Sequence, residues 1–190
     1  MADIELDPSD ILEHEFDYAQ ATAEQAQDDR TAILNLYLLL VGGVGSILLS
    51  LGQANAVSLP RDAYALIFLL LGVIGFFILF KMIRLRQAWY DSVRAMNQIK
   101  DFYIAQFPGL EKAFRWRTQT IPSPNKIWTI TFGLSILVVI IDSVSVGVAA
   151  YFLGAHFSGN EYVVGIFATF IFFLWQIWFY FFELREDGRR

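Results

Sequence analysis

The chain has 190 residues, 56% hydrophobic and 16% aromatic, with a net charge of −5; a soluble domain of this size is about 45–50% apolar. Eighteen Phe and five Trp exceed what a small water-soluble core holds. Cysteine is absent, which excludes a disulfide framework, a thiolate nucleophile and a Cys-based metal site.

Residues 1–31 begin MADIELDPSD, which has neither the positive n-region nor the apolar h-region of a signal peptide. Asp7 or Ser9 can cap a helix, and Pro8 suits its first turn. Leu12, Phe16, Ala19, Ala23 and Ala26 then recur at helical spacing. The segment holds ten acidic residues and one base, Arg30.

Four apolar runs follow: Ala32 to Leu51, Ala63 to Phe80 (extendable to Ile83), Ile127 to Leu153, and Tyr162 to Phe182. A helix needs about 20 residues to cross a bilayer, at about 1.5 Å each, and all four reach about that length. Residues 32–83 and 127–182 are therefore predicted transmembrane hairpins, joined by cytoplasmic residues 84–126 and followed by a tail, 183–190. Between Phe76 and Phe107 there is no Gly or Pro, so the second span should continue as one helix to about Gln106, where Pro108 and Gly109 end it.

Of the fourteen Lys and Arg, all but Arg61 fall in the tails or the middle segment. The positive-inside rule then predicts an all-α, four-span integral membrane protein of a bacterial inner membrane, with both termini cytoplasmic. Residues 81–126 carry nine bases and three acids. Two compatible readings are open: the acidic N-terminal helix docks against this segment in the same or a neighbouring subunit, and Lys112, Arg115, Trp116, Arg117 and Lys126 contact anionic lipid headgroups. Phe114, Trp116 and Trp128 are natural interfacial anchors. Nucleic acid is not an expected partner, given the net charge of −5 and no recognition motif.

The third run contains VVIIDSVSV, with Asp142 near its middle. A charge at that depth costs at least a few kcal/mol. Helical spacing puts Thr131, Ser135, Asp142, Ser145 and Ala149 on or near one stripe, and no Lys or Arg stands at comparable depth in any span. Three environments stay open: a protonated, hydrogen-bonded carboxyl, for instance with Gln176; a water-filled cavity or pore; or a second Asp142 across an oligomer axis. Asn35, near the inner end of the first span, is a further polar candidate. Gly42, Ser46 and Ser50 form a small-xxx-small ladder, and Gly72, Gly75, Gly165 and Ala168 serve close packing in other spans.

Catalytic chemistry has little to work with. His14 and His156 are the only histidines, and His14 has Tyr18 at i+4, where a helical metal site needs a ligand. P-loop, Rossmann and nucleophile-elbow patterns are missing. No enzyme activity, metal or cofactor is expected.

The segments EFDYAQATAEQAQDDR, before the first span, and RLRQAWYDSVRAMNQIKDFY, after the second, give residues 10–106 an arrangement that resembles the SLATT domains, small bacterial membrane proteins. The resemblance implies a membrane effector in conflict systems; the second hairpin departs from the usual two-span plan. The expected function is a non-enzymatic oligomer that forms or gates a pore, or perturbs the membrane, on a cytoplasmic signal through a protein partner. The alternative is a structural or scaffold subunit of a larger membrane complex, without permeation.

Overall fold

Proline fits the first turn of a helix, and no further proline occurs before Pro60. Accordingly helix α1 runs unbroken over Pro8–Gln53. In the computed structural model, which describes residues 8–53, 59–154 and 160–185, the acidic segment and the first apolar run are thus a single rod. Asp7, His156, Arg189 and Arg190 lie outside the described residues.

Helix α2, Arg61–Gln106, is equally continuous. It stops where Phe107 leaves helical geometry (φ −128°, ψ 82°) ahead of Pro108. Residues 107–129 hold two short 3₁₀ turns, Pro108–Lys112 and Thr118–Thr120.

The third run becomes α3, Ile130–Gly154, three residues later than its apolar boundary at Ile127. Trp128 has φ 65°, which no right-handed helix accepts. Thr129 then caps the helix: its Oγ1 accepts from the Phe132 amide at 3.1 Å. Helix α4, Glu161–Glu183, is capped by Asn160, whose side chain accepts from the Val163 amide. Among the described residues these are the four long helices, and all four are long and apolar enough to cross a membrane.

Consecutive helices pack antiparallel, and α3 is sandwiched between α2 and α4. Phe76 and Phe80 of α2 also reach the rings of Trp175 and Phe179 on α4. The densest core joins Leu34 and Tyr37 of α1, Leu79, Met82 and Ile83 of α2, Val138 and Val139 of α3, and Tyr180 with Leu184 at the end of α4. At the opposite end of the bundle, Arg61 pairs with Glu161 at 3.0 Å, and Tyr64 stacks on Phe152.

At about 1.5 Å per residue, the 46 residues of α1 span about 70 Å. Helices α1 and α2 therefore outrun α3 and α4 and form a two-helix stalk. Its inner face on α1 is the alanine stripe Ala19, Ala23 and Ala26, all buried; across from it α2 buries Ser92, Asn97 and Ile104. Lys100 lies over the Phe16 ring, 5.8 Å from its centroid. Within one chain the match of opposite charges is not what joins the rods. Ion pairs among the described residues include Arg61–Glu161, Arg84–Glu183, Arg117–Asp101 and Arg117–Glu111, and none of these four involves the acidic part of α1.

Candidate functional site

All four helices contribute to one buried node. Its centre is Gly75 on α2: a Cβ there would collide with Oδ1 of Asp142 from α3 and with the hydroxyl of Tyr37 from α1. From α4, the Gln176 Nε2 donates to Asp142 Oδ2 at 2.6 Å. Asp142 and Gln176 are 0% exposed and Tyr37 is 1% exposed. Asp142 thus opens neither to water nor to lipid within one chain, and it cannot meet its own copy without the bundle opening. Of the three environments left open by the sequence, a hydrogen bond to Gln176 is the one present.

The node is incompletely satisfied. Asp142 Oδ1, Gln176 Oε1 and the Tyr37 hydroxyl are all buried without a hydrogen-bond partner. In a low-dielectric interior such atoms are expensive. They persist because the surrounding close packing fixes them, with Gly72 against Val146 on one side and the Val138–Val139 core on the other.

The other stripe residues divide. Ser135 and Ser145, and Ser143 outside the stripe, are buried but return their hydroxyls to the helix itself, donating to the carbonyls of Thr131, Ile141 and Val139 at 2.9, 2.9 and 2.6 Å respectively. That is helix back-bonding, which satisfies a hydroxyl without any ligand. Thr131 stands at the stalk end of α3 and accepts from Arg30 Nη1 at 2.5 Å. Asn35 is exposed on α1 and takes no part in the node, because Leu34 and Tyr37 turn the other side of the helix inward.

The glycines divide too. Gly147 and Gly165 let α3 and α4 touch backbone to backbone: a Cβ on Gly165 would come 2.9 Å from the Gly147 carbonyl. Gly42, Gly43 and Gly45 have nothing within 4 Å of a Cβ position. Ser46 and Ser50 donate to the carbonyls of Gly42 and Ser46 at 2.8 and 2.9 Å. The ladder therefore packs against nothing in its own chain, and no residue from Leu38 to Gly52 is buried.

Among the residues expected at headgroups, Lys112, Arg115, Trp116 and Lys126 are exposed. Arg117 is engaged by Glu111 at 2.8 Å and Asp101 at 3.7 Å, so it is not a free cation. Two features escaped sequence reading. Tyr37 looked like one of many aromatics, and its neighbour on α3 lies 105 positions away in the chain. Arg86 was one of nine bases in its segment, yet it is 8% exposed and its Nη1 donates to the Tyr180 hydroxyl at 2.5 Å. A helical phase shared with the buried Leu79, Met82 and Ile83 is the signal that could have found it.

No family model, no curated protein and no solved structure matches this chain.

Proposed function

We propose that this chain is a non-enzymatic, multi-pass membrane protein that works as an oligomer, with both termini and residues 84–126 in the cytoplasm. The concentration of Lys and Arg at the stalk end, with Arg61 alone at the other, supports that orientation. The observation that carries the oligomer is the glycine face of α1. From Leu38 to Gly52 no residue is fully buried, although Val41 still packs against the core, and Gly42, Gly43, Gly45 and Gly52 all have open space beside them. In lipid, helices associate where small residues let backbones approach. The two serines add no donor that lipid would leave unsatisfied, since both are bonded to their own helix. The occupant that suits this face is the same face of a second copy.

A pore or membrane-perturbing role of the SLATT kind then belongs to the seam between copies, with the stalk as the part a cytoplasmic partner moves. Asp142 pins the bundle and does not line that path. The scaffold reading keeps one specific argument: a carboxylate sealed at 0% exposure offers no route through the protomer.

Purification in mild detergent with mass determination, followed by ion flux in reconstituted vesicles, separates the two. An oligomer that conducts supports the first reading. An oligomer or monomer that never conducts, but copurifies with other membrane chains, supports the second. Gly42→Ile and Ser46→Ile should reduce a wild-type oligomer to monomers while leaving the thermal melt of each protomer in place. If the oligomer survives both, the α1 face is the wrong interface. A C-terminal reporter exposed outside the cell would overturn the orientation.

A further inference from the structure

A cavity of about 270 Å³ opens where the stalk meets the bundle, between α1, α2 and the chain entering α3. Arg30, Arg86 and Lys126 line its polar side, and Leu85, Trp89 and Ile130 are among the apolar residues that complete it. Among the described residues no Asp or Glu lines it. Both guanidinium groups bond only neutral oxygens there. Arg30 Nη1 donates to the Thr131 hydroxyl at 2.5 Å. Arg86 Nη1 donates to the Tyr180 hydroxyl, and its Nη2 to the Lys126 carbonyl at 3.1 Å. The Arg30 Nε is buried with no partner at all. Burial, and then the charge of Arg86, lower the pKa of Arg30 from its ordinary value.

Two partly desolvated cations side by side, without a counter-charge, are unfavourable; buried charges are normally paired. An arginine fork is also the side chain whose geometry suits a phosphate oxyanion. We propose that this cavity binds the phosphate group of an anionic phospholipid headgroup, with Arg30 and Arg86 as ligands. The same donors would take free phosphate. The apolar wall decides between them: Ile130 is 81% exposed at the cavity and neighbouring Trp128 is 91% exposed, which is surface for a glycerol backbone and acyl chain. The site differs from the exposed Lys112 and Arg115, neither of which lines it. It rests on the stalk junction lying at the membrane surface, and alkali extraction of native vesicles checks that placement separately.

The test is native mass spectrometry and thermal melting of the full-length protein in detergent. Phosphatidylglycerol, phosphatidylcholine or inorganic phosphate is added to wild type, Arg30→Gln, Arg86→Gln and Lys112→Gln. Wild type should retain phosphatidylglycerol at least about tenfold more tightly than phosphatidylcholine. Arg30→Gln should lose about tenfold of that, the scale of one charge-assisted hydrogen bond, and Lys112→Gln should lose nothing. Arg86→Gln also breaks the bonds to Tyr180 and Lys126, so Arg30→Gln is the decisive variant, with Arg30→Lys restoring part of the loss. Equal retention of the two lipids, or equal losses from Arg30→Gln and Lys112→Gln, would overturn the proposal. Protection by inorganic phosphate alone, as large as by phosphatidylglycerol, would overturn its lipid part. A protein that retains no lipid yet resists alkali extraction would sink the site and leave the membrane placement standing.

Discussion

Replacing Asp142 and Gln176 singly and together tests whether the node holds α3 to α4. Their bond is 2.6 Å long and both side chains are 0% exposed. Interhelical hydrogen bonds within lipid-embedded bundles average about 0.6 kcal/mol and reach about 1.7, while a buried polar group left unpaired costs about 1–3 kcal/mol. Asp142→Asn keeps an oxygen for the Gln176 donor, so it should cost less than about 1 kcal/mol. Asp142→Leu preserves the branching but strands the Gln176 amide, whose Oε1 is already unpaired; about 1–2 kcal/mol follows. Gln176→Met is the worst single change. It leaves both carboxyl oxygens of Asp142 without a partner, since Oδ1 has none to begin with, at about 3 kcal/mol or more. The double variant Asp142→Leu/Gln176→Met removes donor and acceptor together, and should be more stable than Gln176→Met alone. Equilibrium unfolding in mixed detergent–SDS micelles measures the cycle. If the two single costs simply add, or if Asp142→Asn is as damaging as Asp142→Leu, the bond does not hold these helices and the reasoning fails.

Three further outcomes can be measured in the same assay. Gly75→Ala pushes a Cβ onto Asp142 and Tyr37 and should cost about 1–3 kcal/mol by overpacking, whereas Gly42→Ala, with open space around it, should leave the protomer's stability unchanged or slightly raised. Trp128→Gly relieves a φ of 65° and should stabilise the protomer by up to about 1 kcal/mol; a loss would show that the exposed ring contributes more than the backbone strain costs. Arg61→Gln breaks the Arg61–Glu161 pair, in which the arginine side chain is 57% exposed, and should move the midpoint by less than about 1 kcal/mol.

How much of this was readable beforehand follows from range. The unbroken α2 was legible because helix continuation is local: nothing between Phe76 and Phe107 can stop it. The four apolar runs were legible from length alone, whereas matched depth made Gln176 only one candidate partner among three open environments for Asp142. What composition and spacing could not give is azimuth, the side each helix turns to its neighbours. Asn35 and Tyr37 lie two positions apart, and the packing of α1 on α2 and α3 decides that one is exposed and the other buried. The same holds for Gly42 and Gly75, chemically identical and equally apolar in setting, of which one meets open space and the other a carboxylate. The start of α3 was misplaced for a local reason of another kind. Hydropathy registers Ile127 and Trp128 as apolar, but the left-handed Trp128 and the Thr129 cap set the helix boundary.

Azimuth also explains how order is distributed along α1. Its acidic portion is held by an alanine stripe, which lets α2 come close, and its middle is locked by Leu34 and Tyr37 into the four-helix core. Beyond Tyr37 contact thins: Val41 still packs against the core, but Leu39 is 74% exposed, Ile47 61% and Leu49 70%. A helix so firmly held at one end and so bare at the other transmits a displacement of the stalk to its free half, because α1 is one continuous rod and no kinking proline lies within it. A force applied at residues 8–31 would therefore arrive at the glycine face rather than at Asp142. That predicts where cysteine cross-linking should report it. With single cysteines introduced at Gly43 or Ser50 (the chain has none of its own), the yield of disulfide-linked dimers should change when the stalk is clamped by an engineered Ala19→Cys/Ile99→Cys bridge or its nearest linkable register. With a cysteine at Phe167 on the far side of α4, it should not. A response at Phe167 equal to that at Gly43 would mean that the bundle moves as a whole, and that α1 is no lever.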